Sequence, residues 1–264
     1  MLYLVLAAKS FRRMLVYRAA TFAGLLTNLF FGLLRAYVFI ALFAAAGQER
    51  VAGFNLKEAI TFTALGQALI GPLRIWGSTE VLDRIKSGDI AVDLARPTGL
   101  FGLYLAQDLG RAAFEALGRG LPLLLAYSLV FDLRWPAGPL TWLAFLTAAL
   151  LGVTISFGWR FLVNLGAFWL VDARGLARLA SLGVIIFSGL ILPLAMFPPA
   201  LVGLARALPF AGFIDAPARV WLGQVRGAEL AVLLARQLAW ALGLAAAGQL
   251  VYRRGIRRLV IQGG

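Results

Sequence analysis

Cysteine and histidine are both missing from the 264 residues, and lysine occurs only as Lys9, Lys57 and Lys86. Their absence excludes disulfides, thiolate and imidazole metal sites, Ser-His and Cys-His catalysis, and haem held by histidine. There is no GxxxxGK[ST] phosphate loop, so the chain has no ATP-hydrolysing site of its own. Charge is scarce as well: 14% of residues are charged, against about 25% in soluble domains. The acidic residues Glu58, Glu80, Asp172 and Asp215 read as lying at or beyond span ends. That leaves neither a carboxylate pair for intramembrane proteolysis nor a buried proton relay.

What is present is apolar. The chain is 61% hydrophobic with a mean hydropathy of +0.86, the balance of an integral membrane protein. The formal net charge of +13 sits at span ends and not along one soluble face, which argues against nucleic acid. The apolar run Leu2–Ala8 precedes the first positive charges, reversing the order of a signal peptide.

An all-α integral membrane fold with six transmembrane helices is predicted, as one domain over 1–264. The spans fall at about 20–46, 58–77, 100–131, 139–171, 176–193 and 228–251. Fifteen of the 25 Lys and Arg then lie in segments assigned inside, six outside and four within spans, which puts both termini in the cytoplasm. Residues 1–18 carry Lys9, Arg12 and Arg13 at helical spacing with apolar residues between, the pattern of an interfacial amphipathic helix.

The longest polar insertion is 78–100, STEVLDRIKSGDIAVDLARPTGL, read as two short helices. Ser78 or Thr79 caps the first, and Gly88 closes it in the left-handed conformation. Pro97 stops the second, and Thr98 caps the helix that follows. Five prolines between Pro193 and Pro217 make a segment too apolar for a solvated loop and too broken for one span. This predicts a re-entrant hairpin of two short helices over 194–222. Asp108, Arg111, Glu115 and Arg119 share a helix face, as a self-neutralising ladder at the membrane boundary or as the lining of an inner vestibule. Arg35 sits mid-span, where an arginine costs about 2.5–3.5 kcal/mol. It must face other helices, a partner or a polar path. Arg74 snorkels, and Arg160 with Asn164 makes a polar packing patch.

Three stretches carry a family likeness: IKSGDIAVDLARP at 85–97, GAFWLVDARG at 166–175, and FSGLILPLAMFP at 187–198 followed by ALPF at 207–210. In their order and spacing the chain resembles the permease subunits of ABC-2 type exporters (the type V exporter fold), in particular the viologen-exporter branch. The resemblance implies a cytoplasmic coupling helix between the second and third spans, docking on an ATPase through Thr79, Glu80, Asp83, Arg84, Ile85, Lys86, Ser87, Gly88 and Asp89. Asp83, Arg84 and Lys86 are its polar contacts and Ile85 the apolar one, with Lys9, Arg12 and Arg13 nearby. It places Arg35, Phe187, Pro193 and Phe197 on the translocation path or outer gate. The implied partners are two cytoplasmic ABC ATPase subunits that bind ATP and Mg, a second permease chain, identical or different, and the lipid bilayer. This chain itself would bind no cofactor and no metal. The implied activity is export of an amphipathic, hydrophobic or lipid-like small molecule across a bacterial inner membrane by alternating access. The rival reading is a six-span channel, secondary carrier or scaffold not coupled to ATP.

Overall fold

The computed structural model describes residues 1–96, 98–170 and 172–258. Among them every regular element is a helix, apart from one antiparallel bridge between Val51 and Phe54. In order these are α1 (Leu2–Met14), α2 (Arg18–Ala46), α3 (Leu56–Leu73), α4 (Glu80–Ser87), α5 (Ile90–Leu94), α6 (Leu100–Glu115), α7 (Leu121–Val130), α8 (Pro139–Asn164), α9 (Arg174–Phe187), α10 (Pro199–Ala207), α11 (Asp215–Trp221) and α12 (Gly227–Gly255).

Four helical rods are long and apolar enough to cross a membrane: Arg18–Ala46, Leu100–Val130, Pro139–Phe168 and Gly227–Arg258. At 1.5 Å per residue each is about 45 Å long, well beyond the roughly 30 Å of hydrocarbon. The second rod joins α6 to α7 through a π-helical turn at Ala116–Gly120. Two expected spans differ from this type. α3 has 18 residues and is buried almost throughout, so it lives among helices and not against lipid. That setting admits Thr61, Thr63 and Gln67, whose polarity lowers its hydropathy; the threonine hydroxyls donate back to the Lys57 and Ala59 carbonyls. A reciprocal capping box starts it, with Glu58 N donating to Asn55 Oδ1 and Asn55 N to Glu58 Oε2.

The fifth expected span, 176–193, is shorter than the sequence suggests. α9 has 14 residues, about 21 Å, and the chain leaves it at Gly189, whose φ of +87° suits only glycine without strain. Beyond it, Pro199–Ala207 and Pro209–Trp221 form two helical pieces bent by 75°. The third rod closes at Phe168; the end expected for that span, at Val171, lies outside the described residues, as does the stop assigned to Pro97.

The largest core joins α2, α3, α8, α11 and α12. A second, smaller one lies under α4 and α5, where Val81, Ile85 and Ile90 pack with Tyr104, Phe157 and Phe161. α1 lies along α6 so closely that a Cβ on Gly110 would stand 1.9 Å from the Ala7 carbonyl oxygen. Phe11 meets Phe114 edge-on beside this contact, with ring centroids 5.5 Å apart. The helix is thus held by shape as well as by its amphipathic face.

Gly110→Val should push α1 off α6. A single cysteine at Ser10 would then react several-fold faster with a maleimide than in the glycine background; an unchanged rate would contradict the contact.

Candidate functional site

At one end of the bundle α4 and α5 form a polar foot. Gly88 closes α4 with φ +81°, as the sequence predicts. The N-terminal cap differs: Thr79 occupies the position, but its hydroxyl bonds Asp83 Oδ2 at 2.8 Å and not the helix backbone. Thr98 does not cap α6 either. Gly99 holds that position, and the Thr98 hydroxyl is buried without a partner among the described residues.

The foot is fastened from within. Leu82, fully buried, donates its backbone N–H to Asn164 Oδ1 at 2.9 Å, and Asn164 Nδ2 donates to the Ser78 carbonyl at 2.8 Å. One α8 side chain therefore brackets the start of α4. Ile85, expected as an apolar contact for a partner, is only 6% exposed and packs into the core beneath the foot. The charged residues are engaged within the chain too. Asp83 pairs with Arg174 at 2.9 Å, Arg84 with Asp93 at 2.7 Å, and Lys86 with Asp172 at 3.3 Å. The hydrogen bond from Arg174, then that from Thr79, holds the Asp83 carboxyl below the usual carboxylate range. The Arg174 backbone N–H, with Lys86, does the same for Asp172. Glu80 pairs with Arg74 at 3.2 Å. The outermost surface is the turn Lys86, Ser87, Gly88 and Asp89, all exposed.

Directly above the foot lies a buried charge cluster. Asp108, 6% exposed, receives Arg160 at 2.8 Å, Arg111 at 3.0 Å and Arg74 at 3.9 Å. Arg111 also donates to the Gly71 and Pro72 carbonyls in the last turn of α3, where the helix runs out of backbone donors; Gly71 accepts from the Arg74 N–H as well. Ser156 donates to the neighbouring Leu73 carbonyl. The expected ladder is thus half right: Asp108–Arg111 and Glu115–Arg119 pair along α6, but Asp108 also reaches across to α8 and the end of α3. Arg74 does not snorkel outward; it turns in on Glu80 and Asp108. These residues border a cavity of about 520 Å³ whose remaining wall includes α1. Lys9 and Arg13 face this cavity, while Arg12 is exposed on another side of α1.

Near the bent helices a third group assembles. Arg35 donates to the Leu190 carbonyl, just after the break at Gly189. An arginine at membrane depth thereby satisfies a backbone group that the interrupted helix leaves open. Phe187 and Phe197 both pack on Leu194, Ala205 and Ala211, and Pro193 precedes the short turn at Leu194–Met196. The structure thus gathers Arg35, Phe187, Pro193 and Phe197 around one chain break. Two carboxylates read as lying at span ends prove to be buried beside arginines. Glu58 meets Arg50 and Arg134 at the end opposite the foot, and Asp215 lies 3.9 Å from Arg206.

Long apolar helices, with ionic groups paired inside or gathered at their ends, define a multi-pass membrane protein. The chain belongs to the ABC-2 family of transporters: the family model described as ABC-2 family transporter protein matches residues 30–263, from within α2 onward. No curated protein and no solved structure shows a match. The protein is accordingly a transmembrane component of an ABC transporter, which works with an ABC ATPase in a membrane. The match reaches the family and not the viologen-exporter branch. Permeases of this family are generally not themselves the ATPase.

Asp108→Asn would leave three guanidiniums around a neutral amide, a loss of about 3–5 kcal/mol for a buried ionic partner. Lys57→Ala breaks the exposed pair with Asp132 and should cost no more than about 1 kcal/mol. Thermal unfolding in a neutral detergent should separate the two clearly; equal, small effects would contradict the network.

Proposed function

We propose that this chain is the membrane half of an ABC exporter and that it takes its driving force through the foot at 79–89. The observation that carries this reading is the Asn164 bracket. A short polar helix tied by two hydrogen bonds to a membrane-crossing rod can transmit displacement, whereas a loose loop cannot. The contact surface in this reading is the exposed turn Lys86–Asp89 with Glu80, while Asp83, Arg84 and Ile85 set its shape from behind. Thr79 does so through Asp83.

In this arrangement α3 and α9 complete six spans with the four long rods. The 194–222 segment is a re-entrant hairpin at the outer face, and 1–264 is a single permease domain with 1–18 in the interface. The foot and both termini face the cytoplasm of a bacterial cell, and the membrane is its inner membrane. Two ATPase subunits bind ATP and Mg, and a second permease chain completes the pore; this chain holds no cofactor. When the ATPases close on ATP, the feet move together and the rods rock. The break near Gly189 then opens beside Arg35, Phe187, Pro193 and Phe197, releasing an amphipathic or lipid-like cargo outward. Reversing a 1:99 equilibrium takes about 5.5 kcal/mol of differential binding, so the two permease states must grip the ATPase unequally by that order.

Lys86→Ala with Asp89→Ala removes only exposed charges. The pair should lower both ATPase co-purification and stimulation of its turnover about tenfold, with thermal stability of the permease within about 1 kcal/mol of the parent. Undiminished co-purification and stimulation would contradict docking at this turn.

The cysteine-free background permits single cysteines along 194–222. A membrane-impermeant label should reach them in an alternating pattern of protection and reactivity. Full labelling at every position would mean a solvated loop.

A further inference from the structure

The cavity behind the foot carries an unbalanced charge. Lys9, Arg13, Arg74, Arg96, Arg111 and Arg160 line it, against only Glu80 and Asp108. The two carboxylates are already shared, Asp108 by three arginines and Glu80 by one. Arg96 leans on Asp93 at 3.7 Å, and Asp93 also receives Arg84. Lys9 and Arg13 have no ion pair among the described residues. They stand four apart, so they occupy one face of α1, together with the lining residues Leu6, Ser10 and Met14. Leu6, Met14 and Phe157 make part of the wall apolar. The result is a cationic, half-apolar chamber of about 520 Å³ at the end of three membrane helices, closed on one side by an amphipathic helix.

We propose that this chamber binds the anionic headgroup of an amphiphile, a phosphate or carboxylate group with a hydrophobic body. Arginine forks suit either oxyanion, and a positive chamber with low-dielectric walls concentrates anions. A dicationic ligand would meet the wrong field. This inference goes beyond the transport reading and does not depend on the ATPase, because occupancy is measurable on the permease chain alone.

The test uses the full chain in an uncharged detergent, following thermal unfolding by tryptophan fluorescence. Three ligands are titrated: phosphatidylglycerol, phosphatidylcholine with the same acyl chains, and inorganic phosphate. Phosphatidylglycerol should raise the midpoint saturably where phosphatidylcholine does not. Lys9→Ala with Arg13→Ala should weaken that response about tenfold, and so should Arg96→Ala, from a different wall. Arg12→Ala with Arg18→Ala removes equal charge outside the cavity lining and should leave it in place. If inorganic phosphate alone produces the same shift with the same variant pattern, the chamber holds a soluble anion and the amphiphile proposal is overturned. The proposal is overturned if phosphatidylcholine acts like phosphatidylglycerol. It is equally overturned if the Arg12/Arg18 pair weakens the response as much as the Lys9/Arg13 pair, since the effect would then be surface charge alone.

Discussion

Much of this architecture depends on one carboxylate. Asp108 is buried in the middle of α6, where α3 ends and α8 nears its end, and it is the acceptor common to Arg74, Arg111 and Arg160. Taking several charges out of water costs several kcal/mol each, and attraction in a low-dielectric setting offsets that only when hydrogen bonds complete the geometry. Here they do. Arg111 uses its remaining donors on the Gly71 and Pro72 carbonyls, so the cluster also finishes the broken end of α3. With three arginines on one aspartate the local charge remains positive. The same cluster that joins the helices therefore sets the field of the chamber beside it.

The foot is an extension of this junction. Asn164 lies one helical turn beyond Arg160 on α8, and it receives the Leu82 N–H while donating to the Ser78 carbonyl. Arg74 reaches the foot through Glu80. Apolar packing of Val81, Ile85 and Ile90 beneath the foot makes the connection stiff as well as specific. A displacement applied to the Lys86–Asp89 turn has few ways to dissipate before it reaches α8. The opposite end is organised differently: Trp221 meets Trp142 and Phe145 edge-on and Trp135 at a tilt, and donates its indole N–H to the Arg134 carbonyl. That aromatic packing anchors the bent helices to α8, beside the buried Glu58 that pairs with Arg134.

The long rods were legible because hydrophobic length is a local property. So were the left-handed Gly88 and the break-rich stretch after Pro193, since proline and glycine act on their own backbone. α3 was harder. Its threonines and Gln67 dilute the apolar signal, and only burial by its neighbours explains why they are tolerated. What could not be read was helix rotation and partner choice. Helical spacing puts Asp108 and Arg111 on one face, but nothing local says that the face meets Arg160. Ile85 looked available to a partner because a short amphipathic helix does not announce which side its own protein covers. Lys9, Arg12 and Arg13 were read together for the same reason, although the structure turns two of them to the chamber and one away. The surplus of basic over acidic residues within and beside the spans was the available hint of a shared acceptor.

The central claim is that the foot moves the membrane rods because Asn164 joins them, and nucleotide-dependent labelling tests it most directly. A cysteine placed at Phe197 in the assembled complex reports the far side of the bundle through its reaction rate with an impermeant maleimide. The account predicts that adding ATP changes this rate in the parent. With Asn164→Ala the change disappears, while the ATPase stays bound and keeps hydrolysing. The same nucleotide response with and without the Asn164 side chain would contradict it.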